Sequence, residues 1–163
     1  MRVLGLTALA TLAADQATKL LVIFGLDLPH RGEIDVIDPL LNFRWAENRG
    51  INFGLLNSGT EVTRWLLIAL AIGISAWVVR WAQRDGFTRW GQISAGLLVG
   101  GAAGNVVDRL AYGYVADFLN MSCCGIENPY AFNVADIAIF AGAIGLVLFT
   151  GKSQSGKAAR KGR

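Results

Sequence analysis

Four stretches of the chain, 3–24, 62–81, 90–110 and 131–150, are apolar over about 20 residues each, the length a helix needs to cross the hydrocarbon core of a bilayer. The second contains "WLLIALAIGISAWVV" and carries Trp65, Trp77 and Trp81 where interfacial indoles anchor a span. The third is weaker by hydropathy but sets Gly96, Gly100 and Gly104 four residues apart. Such a stripe lets a neighbouring backbone approach closely, and Asp108 continues it, so Asp108 faces protein rather than lipid. Between the first two spans the period changes. "LNFRWAEN" alternates Leu41, Phe43 and Trp45 with Asn42, Arg44 and Ala46, which predicts a strand or two lying on the membrane surface. "GINFGLLNSG" follows, a short apolar run closed by turn residues, and predicts a small interfacial helix. The pattern therefore predicts an all-α membrane protein of four transmembrane helices, with a small outer-face β cradle and a short interfacial helix. Residues 1–151 form one membrane-embedded domain in this reading, and 152–163 a basic tail. No repeat and no second soluble domain is visible.

Composition agrees. The 163 residues are 53% hydrophobic and only 17% charged, with a mean hydropathy of +0.44; a soluble domain carries about a quarter charged residues. A net charge of +3 gives a nucleic-acid partner little support. The distribution of charge is more informative. Arg2, the 80–90 turn and the tail hold nine Lys and Arg against one acid, Asp85, whereas the opposite loops and helix ends hold five Arg against ten acids. By the positive-inside rule both termini and the 80–90 turn are cytoplasmic, and the tail lies near anionic lipid. The first 25 residues resemble a signal peptide only superficially. Ala8–Ala10 comes too early to follow an apolar core of about 7–15 residues, and the apolar pattern runs on past Asp15 and Lys19 to Phe24. This segment reads as a retained span.

Polar side chains interrupt these spans at one end. Asp15 and Lys19 stand at i and i+4 on the first, hence on one face. Asn105, Asp108 and Arg109 sit near the outer end of the third, Asn133 and Asp136 at the start of the fourth, and Asp117 on the segment between them. Intramembrane ionisable groups mark functional sites by default. Asp15–Lys19 and Asp108–Arg109 also admit a structural reading, as pairs that neutralise one another and lock helices together. Asp117 and Asp136 have no obvious cation. Two such carboxylates facing each other cannot both ionise easily and share a proton, the arrangement aspartic proteases use to activate water. Other chemistries fit less well. His30 is a lone loop histidine, and adjacent Cys123 and Cys124 form only a strained bridge, so free thiols or partial oxidation without a catalytic role are expected. A serine–lysine pairing of Lys19 with Ser58 or Ser122 lacks a nucleophile-like turn. The other membrane reading is a proton- or cation-coupled small transporter, which predicts a relay across the bilayer or paired repeats with broken helices.

The same residues form an ordered set of motifs: "DQATK" at 15–19, "NRGINFG" at 48–54, "GNVVDR" at 104–109, "VADF" at 115–118 and "FNVAD" at 132–136. In that order, and each at the right end of its span, they resemble lipoprotein signal peptidases, the type II signal peptidases of bacteria, over nearly the whole length. The resemblance implies a four-helix inner-membrane aspartic endopeptidase with both termini cytoplasmic and its site toward the outer, periplasmic face. Its substrate is a prolipoprotein, cut just before a cysteine that carries a diacylglyceryl group. The catalytic pair is then Asp117 and Asp136. Asp15, Lys19, Asn48, Gly50, Asn105, Asp108, Arg109 and Asn133 resemble the polar ring around it, which also meets the cyclic peptide inhibitor globomycin in that family. In this reading Asn105 and Asn133 hold the dyad or the scissile peptide, while the Asp15–Lys19 and Asp108–Arg109 pairs orient helices. A surface strand cradle and a mobile outer helix are implied as well. The expected partners are the lipid-modified precursor and membrane lipids, without cofactor, metal or nucleic acid, and the expected state is a monomer. Ile51 and Asn52 stand where the family commonly has small residues, the "SCCGIENPY" loop is idiosyncratic, and the resemblance gives Cys123 and Cys124 no role.

Overall fold

Helix α1 (Arg2–Leu20) runs into a π-helical turn, Leu21–Gly25, before a four-residue helix α2 (Leu28–Arg31). Strands β1 (Glu33–Ile37) and β2 (Leu41–Asn48) follow, then helices α3 (Glu61–Asp85) and α4 (Arg89–Tyr112), strand β3 (Val115–Asn120) and helix α5 (Val134–Thr150). The computed structural model describes residues 1–50, 61–122 and 128–150. The expected interfacial helix, Ser58, Cys123, Cys124 and the tail lie outside the described residues.

Local chemistry sets the boundaries that matter. Thr88 caps α4, its Oγ1 accepting from the Gly91 N–H at 3.2 Å. At the other end Gly113 adopts φ +83, the left-handed conformation that stops a helix and suits a residue without Cβ. The chain reverses there and enters β3 two residues later.

The helices pack through small residues. A Cβ on Gly96 would lie 2.7 Å from the Leu4 carbonyl, and one on Gly100 would lie 2.8 Å from Thr11 Cβ and 2.9 Å from Ala8 Cα. On its other side α4 meets α5, where a Cβ on Gly142 would press on Leu98 and Ser94. The glycine stripe thus does what its spacing predicts, and α4 becomes the central helix of the bundle. Leu4, Val78, Ala82, Ala95, Leu98 and Leu146 close the core at one end. There the Met1 ammonium donates to Gln92 Oε1 at 2.8 Å, and Trp90 stacks on Phe149 at 6.0 Å. The start of α1, the start of α4 and the end of α5 therefore share an end, and the sheet occupies the other.

Large apolar side chains face outward, among them Leu6, Leu9, Phe24, Trp65, Leu70, Phe140 and Val147, while Asp15, Lys19, Asp108 and Asp117 are buried. That inversion suits a lipid exterior. Among the described residues two helices are long and apolar enough to cross a membrane, Arg2–Gly25 and Glu61–Asp85; Val134–Thr150 is a shorter apolar helix. Half of helix α4 is buried against its neighbours, and glycine, alanine and polar residues there replace the lipid-facing leucines that raise hydropathy.

The sheet is antiparallel in the order β1-β2-β3. The alternating segment is β2, over the residues its period predicts. Strand β3 has no such signature, because Val115, Ala116, Asp117 and Phe118 are all buried. Phe118 joins Val22 and Leu28 in a second apolar cluster, so the π-turn and α2 support one face of the sheet. Asp117, its neighbour, points to the opposite face.

Candidate active site

Sheet register delivers Asp117. Phe43 pairs with Leu119 but Ala46 pairs with Asp117, so a bulge in β2 lies directly beside Asp117. Bulges re-aim side chains in this way. With Ala46 opposite, Asn48 becomes the diagonal neighbour of Asp117, and its Nδ2 donates to Asp117 Oδ2 at 3.0 Å. On the other edge of β3, Phe132 makes an isolated bridge to Leu119, with backbone bonds of 2.8 and 2.9 Å. The next residue, Asn133, donates its Nδ2 to Asp117 Oδ1 at 2.6 Å.

Asn133 also begins α5. Its carbonyl accepts from Ile137 N, and its Oδ1 accepts from Asp136 N at 3.0 Å. Asp136 Oδ2 in turn accepts from Asn133 N at 3.3 Å. This is a reciprocal capping box built from Asn and Asp. It corrects the predicted fourth span at its start, since 131–133 is extended and Asn133 is the cap. The second Asp136 oxygen, Oδ1, accepts from Asn105 Nδ2 at 3.0 Å, and Asn105 Oδ1 accepts from Asn133 Nδ2 at 3.3 Å. Asn105, Asn133 and the two carboxylates thus form one hydrogen-bonded circuit across α4, β3 and α5.

Electrostatics favour a proton on this circuit. Asp117 is 2% exposed, and its carboxyl is pushed up to about 7, first by burial and second by the charge of Asp136. The Asn48 and Asn133 amides pull the other way, but less. Two carboxyl groups so arranged can bind and activate a water between one ionised and one protonated partner.

Beside the dyad lies a second cluster. Lys19 Nζ sits 2.8 Å from Asp15 Oδ2 and 2.7 Å from Asp108 Oδ2, with all three side chains almost wholly buried. The expected Asp108–Arg109 pair is therefore not how these groups are used: Asp108 pairs with Lys19. Consecutive helix residues point about 100° apart, so Arg109 leaves on another face. Its Nη2 donates to the Gly50 carbonyl at 3.0 Å and its Nη1 to the Asn105 carbonyl at 3.4 Å. The carboxylates that act on it most are Asp136, Asp117 and Asp108, so the dyad does have a neighbouring cation, which the sequence did not reveal. Gly50 N also donates to Asn48 Oδ1 at 3.2 Å, so Arg109 and Asn48 together hold the end of β2.

All ten singled-out residues meet at this end of the bundle. One further residue was missed: Gln16 Nε2 lies 3.2 Å from Asp15 Oδ2, 3.0 Å from Asp108 Oδ1 and 3.4 Å from the Gly104 carbonyl. The available signal was its place between Asp15 and Lys19, one position off their face. The rejected chemistries stay apart. His30 is exposed beside Asp27, and Ser122 Oγ donates to Asn120 Oδ1 and accepts from Asn128 N. Among the described residues the buried charged groups gather at one end, which gives a transmembrane ion relay no support.

The chain is similar to known proteins over most of its length. A family model described as Signal peptidase (SPase) II matches residues 7–151. A lipoprotein signal peptidase of Methylobacterium sp. (strain 4-46) is 46% identical over 149 residues, covering 91% of this chain and 88% of its own. That of Methylorubrum extorquens (strain PA1) is 44% identical, with 88% and 83% covered. A bacterial membrane enzyme solved by the in meso method at 2.3 Å superposes with a TM-score of 0.76 at 29% identity, over 93% of this chain and 89% of that one.

Proposed function

The chain belongs to the signal peptidase II family, and from that premise we propose that it is an aspartic endopeptidase whose Asp117 and Asp136 cut the signal peptide from diacylglyceryl-modified prolipoproteins. Membership makes it a membrane protease. The observation that carries it is the Asp117–Asn133–Asn105–Asp136 circuit, in which burial and a second carboxylate hold the Asp117 carboxyl near neutrality.

The pair holds one proton in the resting site, and burial biases Asp117 toward carrying it. The ionised carboxylate takes a proton from a bound water, which attacks the scissile carbonyl. The protonated partner donates a hydrogen bond to the developing gem-diol and a proton then passes to the leaving amine. Asn48, Asn105 and Asn133 fix the carboxyl oxygens before substrate arrives, and such preorganisation lowers the cost of charge development. All four long helices span the bilayer in this reading, with both termini cytoplasmic and the sheet at the outer leaflet. There the bilayer itself holds the acyl chains of the substrate, worth about 0.8 kcal/mol per buried CH₂.

The test is cleavage of a diacylglyceryl-modified prolipoprotein in detergent by wild type, Asp117→Asn and Asp136→Asn. Wild type alone should cut, with both variants folded. Near-normal turnover by either variant would refute the assignment.

A further inference from the structure

The tripeptide Val-Ala-Asp occurs twice, at 115–117 and 134–136, and each copy ends in one dyad carboxylate. In both copies the alanine is fully buried and its N–H is held by a carboxylate from elsewhere. Ala116 N donates to Asp108 Oδ2 at 3.1 Å, and Ala135 N donates to Asp15 Oδ1 at 3.0 Å. Those two acceptors are the carboxylates that converge on Lys19 Nζ. Gln16 Nε2 reaches both as well. The Ala135 bond alone would be an ordinary cap, for its N–H is an orphan donor at the start of α5. Both together connect the backbone immediately before each dyad residue to a single buried ammonium.

We propose that Asp15, Lys19, Gln16 and Asp108 form a clamp of positioning residues that sets the separation of the Asp117 and Asp136 backbones, and so the geometry in which the two carboxyls share a proton. The inference rests on the dyad reading above. Gly104 belongs to the same device, because a Cβ there would collide with Asp15 Oδ2 and lie 3.5 Å from Ala135 Cβ. The glycine opens the gap through which Asp15, on α1, crosses α4 to reach α5. Lys19 Nζ lies 2.8 Å from Asp15 Oδ2 and 2.7 Å from Asp108 Oδ2 and so ties both acceptors to one point. The dyad itself is faced by Lys19 from α1, Arg109 from α4, and the neutral amides of Asn48 on β2, Asn105 on α4 and Asn133 at the start of α5.

The experiment compares Asp→Asn with Asp→Ala at positions 15 and 108. Each pair removes the same charge, but only Asn keeps an acceptor for the backbone N–H. Turnover of diacylglyceryl-modified precursor is measured across pH in detergent, below the unfolding temperature of every variant. Asp108→Ala and Asp15→Ala should lose kcat by about 100-fold, the scale of a roughly 1 Å misplacement, with KM little changed. The Asn variants should stay within about tenfold of wild type, keeping a neutral bond of about half the strength. The bell-shaped pH profile should narrow in the Ala variants, because a dyad held further apart couples less strongly, and keep its width in the Asn variants. A merely structural loss lowers the amplitude and leaves the width. Should Asp108→Ala fail to fold, the Asp15 pair makes the same comparison on α5, and Gln16→Met should narrow the profile to a smaller degree. Equal kcat for Asn and Ala at both positions, or an unchanged width in the Ala variants, overturns the clamp. Asp117→Asn and Asp136→Asn run alongside: if they are dead while the Ala variants are normal, the clamp alone fails. If either one cuts, the dyad reading falls and takes the clamp with it.

Discussion

Asp117→Asn should change how stability depends on pH as well as abolish cleavage. In the folded protein burial and the Asp136 charge raise the Asp117 carboxyl from 3.8 to about 7. Unfolding returns it to its ordinary value. Between those two values the folded state keeps a proton that the unfolded state has released, so stability falls as pH rises. The contribution is fully present below the unfolded value and is lost as pH climbs through the folded one. A gap of about three pH units, at about 1.36 kcal/mol each, makes the loss about 4 kcal/mol. Asn is neutral throughout and escapes the loss. It has a fixed cost of its own, because its amide N–H₂ meets Asn48 or Asn133, which both donate to Asp117 now. One donor left unsatisfied costs about 1–3 kcal/mol at every pH. Asp117→Asn should therefore be the less stable protein near pH 4 and the more stable one near pH 8, the crossover following from those two magnitudes. Thermal unfolding in detergent at five pH values reads this directly. Parallel curves for the two proteins, or a wild type that gains stability over this range from Asp117, would refute the reasoning.

Other substitutions probe the remaining contacts by different readouts. Asn133→Ala removes the α5 cap, worth about 1 kcal/mol, and also a donor that lowers the Asp117 carboxyl. The pH profile of any residual cleavage should shift upward; a downward shift would contradict the geometry. Gly100→Ala forces a methyl against Ala8 and Thr11, whereas Gly73→Ala meets nothing within 4 Å. Unfolding in detergent should show about 1–3 kcal/mol lost at position 100 from overpacking, partly offset there, and about 1 kcal/mol at most gained at position 73, by helix propensity. Arg109→Lys keeps the charge but cannot reproduce the fork that reaches both the Gly50 and Asn105 carbonyls. Cleavage should drop about tenfold or more, the scale of one hydrogen bond to a charged group; wild-type activity in this variant would show that charge alone suffices.

The sequence by itself determined the helical bundle, its glycine seam and the end at which the costly polar groups collect. Those features are written in local periodicity: apolar length, a four-residue small-residue stripe, and the alternation of "LNFRWAEN" that became β2. The motif order singled out Asp117 and Asp136, and the tertiary structure brought them into one circuit through Asn133 and Asn105. Only the tertiary structure decided that "VADFLN" is a strand, because a strand buried on both faces carries no alternation to read. It also decided the pairing of charges. Spacing along α4 suggested that Asp108 and Arg109 neutralise each other, yet neighbouring positions diverge around a helix, and Lys19 arrives from α1 to take Asp108 instead. Long-range partners of buried charges are chosen by which elements meet, and that depends on the glycines of α4 letting α1 and α5 approach from opposite sides.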